Sequence, residues 1–228
     1  MINSASSNSR HRLVIVGAGG FGREVARWAG AVAPTDRDWE LGAFLDANPD
    51  ALARYDVPWA IVGDPATYQP RPTDRFICAI GDPRTKLDVC RALVDRGAIF
   101  TTIRHPTVVV GGACQIGVGS ILCPYVILTD SVTIGSFVTL NVHATVGHDA
   151  SVGDGSTISG HCDVTGFAQL GQGVFLGTTA TILPKARVGD FARVGAGSVV
   201  LRHVQAGATV FGVPAVPIQR AERTEGSS

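Results

Sequence analysis

The chain holds six histidines, and three of them, His143, His148 and His161, crowd into one short stretch. His148 follows Val146-Gly147, a turn-like pair, and is followed directly by Asp149. An imidazole exchanges protons near neutral pH, and a carboxylate at the next position can orient it and support the charge it gains. That pairing suits a general base taking a proton from an attacking amine or hydroxyl. The same two residues would also serve as an ordinary solvated turn.

A second chemistry-bearing segment lies near the start. Leu13-Val-Ile-Val16 reads as a buried strand, and Gly17-Ala-Gly-Gly-Phe-Gly22 follows it. A helix is expected from about Arg23 to Val32, and a second strand, Leu41–Leu45, ends at Asp46. This is the G-x-G-x-x-G turn between a strand and a helix, with an acidic residue spaced for a ribose hydroxyl. The same glycines would equally allow a tight turn that binds nothing. Phe76–Ile80 is a further expected strand, ending in Gly81-Asp82-Pro83. A helix is predicted over about Arg84–Arg96 and one more strand over Ile99–Ile103. Together these make a small parallel-sheet domain about half the length of a dinucleotide-binding unit, which fits a mononucleotide-sized site.

From Val110 to Ala206 an aliphatic or small residue recurs at every sixth position, through Ile116, Leu122, Leu128, Ile134, Leu140 and onward. Four residues after each comes a small or β-branched one, such as Ser120, Val126, Ala144, Ser156 and Cys162. Two inward positions two residues apart make a very short strand, and the Gly-rich remainder makes a turn. Stacked six-residue units are the signature of a β-helix, in which each coil pairs with its neighbours. Period six does not track an α-helix, and sandwich strands would be longer.

The 228 residues carry zero formal net charge and are 45% hydrophobic, enough for two modest domains. No basic stripe points to nucleic acid, and no polybasic run points to a membrane surface. No apolar run of transmembrane length and no charged-then-apolar leader stands in the sequence. The five cysteines form no C-x-x-C pair and read as reduced core residues of a cytoplasmic protein. The expected division is a disordered tail over 1–11, an α/β domain over 12–104, a β-helix over 105–220 and a second disordered tail over 221–228.

The repeat resembles the hexapeptide acyltransferases, in which three hexapeptides form one triangular coil of a left-handed parallel β-helix. Residues eighteen apart would then stack, placing Tyr125, His143, His161, Thr179 and Gly197 in one column and Asp130, His148, Gly166 and Pro184 in another. The whole chain resembles the PglD/NeuD-like nucleotide-sugar N-acetyltransferases of bacterial glycan pathways. The matching segments include Gly17–Gly22, Phe44-Leu-Asp46, Ala79-Ile-Gly-Asp82, Ile103-Arg-His-Pro106, Pro124-Tyr-Val126, Leu140-Asn141, Gly147-His-Asp149 and Phe211-Gly-Val-Pro-Ala215.

That resemblance implies a small Rossmann-like domain ahead of the β-helix, and transfer of acetyl from acetyl-CoA to an amino sugar carried on a nucleotide. His148 takes the role of proton acceptor and Asp149 that of its acidic neighbour. The nucleotide-sugar contacts fall on Gly19, Gly20, Phe21, Asp46 and Ala47, with Gly81, Asp82 and Asn141 beside them. The acetyl-CoA contacts fall on Thr157, Gly166, Thr178 and Ala196. No metal is expected, and a homotrimer is. Phe21 stands where the family often has His, Ala47 where it has a second acidic residue, and Thr157 where it has a cofactor-site histidine.

Other readings stay open. O-acetylation of a sugar of the sialic-acid type would use the same parts. A zinc lyase resembling the gamma-class carbonic anhydrases would use His143 and His148, although Thr107 stands where its third histidine belongs. A non-catalytic nucleotide-sugar-binding protein is the last alternative.

Overall fold

The computed structural model describes residues 10–218. Most of the expected N-terminal tail and all of the C-terminal one lie outside the described residues. His11 does not belong to a tail, because it opens strand β1 and pairs with Trp39.

The N-terminal domain is built from β1 (His11–Val16), α1 (Gly20–Ala31), β2 (Trp39–Leu45), β3 (Asp74–Cys78) and α2 (Pro83–Asp95). Its parallel sheet runs in the order β2-β1-β3. All three strands carry near-continuous apolar runs, as a sheet covered on both faces requires. Helix α1 starts at Gly20, three residues before the expected start, because Arg23 N–H already closes a turn on the Gly19 carbonyl.

The expected strand Ile99–Ile103 does not form as one element. Phe100 makes a single bridge to Phe76, whereas Ile103–Arg104 pairs with Ile121–Leu122 and so belongs to the β-helix. Ile103 is buried where the two parts of the chain meet.

From there each coil contributes two-residue strands to three parallel sheets, as the sixfold repeat predicted. One face of the triangular, left-handed β-helix carries Ile121–Leu122, Thr139–Leu140, Thr157–Ile158, Phe175–Leu176 and Arg193–Val194. The second carries Ile127–Leu128, Thr145–Val146, Asp163–Val164 and Thr181–Ile182. The third carries Thr133–Ile134, Ser151–Val152, Gln169–Leu170 and Arg187–Val188. The core is the stacked series Leu122, Leu128, Ile134, Leu140, Val146 and onward, all buried. Polar residues in the small inward positions bond to backbone: Ser120 Oγ donates to the Gly135 carbonyl at 2.9 Å and accepts from Val138 N–H.

The strict sixfold series fails at its end. Arg187 pairs with His203 and Val188 with Val204, so the last coil is two residues short. Val204 and Val210 take the inward positions, and Ala206 is exposed. The corner after Val200 consists of Leu201 and Arg202 alone, too short to bring Ala206 into register.

The N-terminal domain packs on the first face. Ile121, Cys123 and Val142 share a core cluster with Val25, Ala29 and Ile77. Among the described residues no helix is long and apolar enough to cross a membrane.

Candidate active site

The loop between β1 and α1 turns at Gly17, whose φ of +97° suits glycine. A Cβ on Gly22 would run into the Gly17 carbonyl oxygen, so this glycine permits close contact between helix and turn. Asp46, at the end of β2, accepts from Ala18 N–H at 2.7 Å and from Asn48 N–H at 2.9 Å. Its carboxylate therefore braces the glycine loop; each oxygen keeps a lone pair for a ribose hydroxyl. Ala47 is exposed beside it.

Gly19 and Gly20 line a pocket of about 360 Å³ together with Arg23, Asn48, Arg54 and Tyr55. The twelve-residue α1 has no side-chain cap and no acid in its first turn, so its N–H groups and dipole face this pocket unopposed. Arg23 stacks over the Tyr55 ring at 3.5 Å and Arg54 flanks it at 5.0 Å. Hydrogen bonding to Arg54 and the charges of both arginines hold the half-buried Tyr55 hydroxyl below its ordinary value. Sequence reasoning missed Arg23, Arg54 and Tyr55. They sit in a helix turn and an irregular loop that share no period, and the sequence itself places only Arg54 beside Tyr55.

Three expected contacts point elsewhere. Phe21 packs edge-on against Trp28 at 6.2 Å and does not line the pocket. Asp82 caps α2 through Thr85 N–H at 3.1 Å and pairs with Arg193 at 3.3 Å. The Thr85 bond is the main cause of its lowered pKa, with Arg193 adding to it. Gly81 is exposed before that cap.

His148 sits at the corner between the second and third faces. Its Nδ1 lies 2.9 Å from Asp149 Oδ2, and the imidazole is 59% exposed. A Cβ on Gly166, one coil on, would stand 2.7 Å from His148 Nε2, so the ring lies directly over that glycine. The Phe167 ring meets the imidazole edge-to-face at 5.1 Å. Bonding through Nδ1 to Asp149 leaves Nε2 as the ring nitrogen free to accept a proton.

His143 occupies a different corner, between the first and second faces. It is stacked between Tyr125 at 4.9 Å and His161 at 4.8 Å, as the eighteen-residue column predicted. Asn141 lies on that corner too, its side chain accepting from Val142 N–H at 2.7 Å. Among the described residues no three His, Cys, Asp or Glu side chains come together as a metal cluster.

The four expected cofactor residues are dispersed. Thr178 and Ala196 share a pocket with Ser159, Phe175, Arg193 and Thr209. Gly166 is under the His148 ring. Thr157 is buried beneath α2, where its hydroxyl accepts from Lys86 Nζ at 2.9 Å. Within one chain, then, the nucleotide-sized pocket lies on the side of the first face, and His148 lies on the opposite edge of the triangle.

Comparison with known proteins follows this architecture. Residues 12–93 match the family described as PglD N-terminal domain. The GDP-perosamine N-acetyltransferase of Escherichia coli O157:H7 is 32% identical over 74 residues, which span 32% of this chain and 34% of that protein. This aligned stretch is thus about a third of the curated relative's length. The crystal structure of PerB from Caulobacter crescentus, in complex with CoA and GDP-perosamine, matches with a TM-score of 0.81 at 28% identity, over 91% of this chain and 97% of that one. The acetyltransferase domain of PglB from Neisseria gonorrhoeae, in complex with acetyl coenzyme A, matches with a TM-score of 0.82 at 25% identity, over 92% and 100% of the two chains.

Proposed function

We propose that this chain is a PglD-like sugar acetyltransferase of the hexapeptide-repeat fold and moves an acetyl group from acetyl-CoA to the amine of a nucleotide-linked amino sugar. The observation that carries the reading is the His148–Asp149 pair, with Nδ1 held at 2.9 Å and Nε2 open over Gly166.

In the proposed reaction the sugar amine attacks the thioester carbonyl carbon while His148 Nε2 takes the amine proton. The carbonyl oxygen becomes an oxyanion, and a backbone N–H near Gly166 donates to it. Collapse breaks the carbon–sulfur bond, and the imidazolium returns its proton to the leaving thiolate. The products are an amide and free CoA. Asp149 keeps the imidazole in the tautomer that accepts at Nε2.

Arg23, the α1 N-terminus and Arg54 supply positive charge for a diphosphate, and Tyr55 an aromatic face. Thr178 and Ala196 would contact acetyl-CoA. His148 stands across the triangle from the face that carries the nucleotide domain, so the acceptor must come from a neighbouring copy. A closed ring of three copies meets this need and leaves no unpaired surface. The five free cysteines fit a reducing cytoplasm, and the relatives' amino-sugar substrate fits bacterial glycan biosynthesis.

Incubating the protein with acetyl-CoA and GDP-, UDP- and dTDP-linked amino sugars, and following thiol release, tests the reading. Turnover of at least one is expected. No turnover with any of them, alongside binding of the nucleotides alone, would leave a binding protein.

A further inference from the structure

We infer that Phe167 is a positioning residue for the His148 imidazole, an inference that rests on the base role proposed above. Three phenylalanines, Phe137, Phe167 and Phe191, occupy corner positions of the β-helix at positive φ, between 56° and 60°. A bulky side chain is strained in that left-handed region, and glycine or asparagine would hold it more easily. Two of the three have structural partners on the nucleotide-domain side. Phe137 meets Phe100 edge-to-face at 5.0 Å, and Phe191 lies under Arg84 at 4.2 Å.

Phe167 is different. It sits on the far corner, 47% exposed, and its aromatic partner is His148 at 5.1 Å and 89°. Burial gives little reason for an aromatic ring there, and backbone geometry argues against one. The contact with His148 supplies a reason. Asp149 holds Nδ1, Gly166 opens the space beneath the ring, and Phe167 blocks the swing that remains. The imidazole is thereby held with Nδ1 on Asp149 and Nε2 left to accept a proton. A base held in one orientation waits in the geometry of attack, and one that rotates freely reaches it only part of the time.

The test uses the full chain, acetyl-CoA, and whichever of the GDP-, UDP- and dTDP-linked amino sugars turns over fastest. Phe167→Asn keeps a residue that accepts positive φ. It should lower kcat about tenfold and change KM for either substrate by less than about twofold, the mark of a mis-aimed base. Its melting temperature should stay the same or rise, because strain is relieved. Phe167→Tyr, which keeps the ring, should restore kcat. In a His148→Ala background, Phe167→Asn should cost nothing further, since there is no imidazole left to aim.

Full kcat in Phe167→Asn, beside a crippled His148→Ala, would overturn the inference and leave the base assignment standing. So would an additive loss in the double variant, or a smaller species in light scattering, which would make Phe167 an inter-copy contact. An active His148→Ala, or no turnover of any sugar, would remove the base role and this inference with it.

Discussion

The Lys86 ammonium, on α2 of the N-terminal domain, donates to Thr157 Oγ1 at 2.9 Å inside the first face of the β-helix. The same nitrogen donates to Thr139 Oγ1 and to the Ser156 carbonyl, each at 3.1 Å. Lys86 is 1% exposed, and all three acceptors are uncharged. Thr157, the position matched to a cofactor-site histidine in the family, is here part of a joint between domains. Leu87 deepens the joint, since a Cβ on Gly155 would collide with it.

Burial pushes the Lys86 pKa down to about 8, against an unfolded value of about 10.4. Between those values the unfolded chain binds more protons than the folded one, so this group's penalty on folding fades as pH rises from about 8 to about 10.5. Relative to Lys86→Met, the wild type should gain about 2 kcal/mol of stability between pH 7.5 and 9.5. Denaturant titrations of both proteins at the two pH values measure this. An unchanged difference would show that Lys86 keeps its proton throughout.

The pocket proposed for the sugar nucleotide gives a separate prediction. Arg23→Ala removes a cation from the α1 N-terminus and the stacking partner of Tyr55. Its KM for the sugar nucleotide should rise roughly 10- to 100-fold, in line with the loss of one or two charge-assisted contacts, and KM for acetyl-CoA should hold. Gly20→Val should act in the same direction, because Gly20 lines the pocket and a side chain there would stand against Arg23. Steady-state kinetics with each substrate varied in turn would show an equal loss for both substrates if the loop were only structural.

Much of this architecture was legible in the sequence because it is local or repeated. The β-helix announces itself in every coil, and the stacking of Tyr125, His143 and His161 follows from eighteen-residue spacing. The slip after Val200 was hidden because Val204 and Ala206 are both small enough to pass as inward residues. The Lys86–Thr157 contact joins positions 71 apart, and no periodicity reports a contact between domains. Asp46 was placed correctly at the loop, but its part in bracing Ala18 N–H depends on a turn geometry that composition does not specify.

His148→Ala should lower kcat by roughly 10²–10⁴-fold, the worth of a positioned acid–base group, and leave both KM values and the oligomer intact. The side chain is exposed and contributes little to the core. Asp149→Asn should cost less, because it removes the carboxylate charge beside Nδ1 and leaves the acceptor nitrogen in place. His143→Ala should keep near-normal kcat, since His143 belongs to a stacked column on another corner.

Geometry adds a sharper version. If the pocket of one copy serves the His148 of its neighbour, His148→Ala and Arg23→Ala subunits each carry half of a working site. Co-expressed in equal amounts, assembled at random and assayed with the sugar nucleotide far below the raised KM of Arg23→Ala, they should recover about a quarter of the wild-type activity per site, because half of the pockets and half of the bases are intact and independent. Mixtures no more active than the separate variants would place base and pocket in the same chain, and would contradict the assignment of His148 to a shared site.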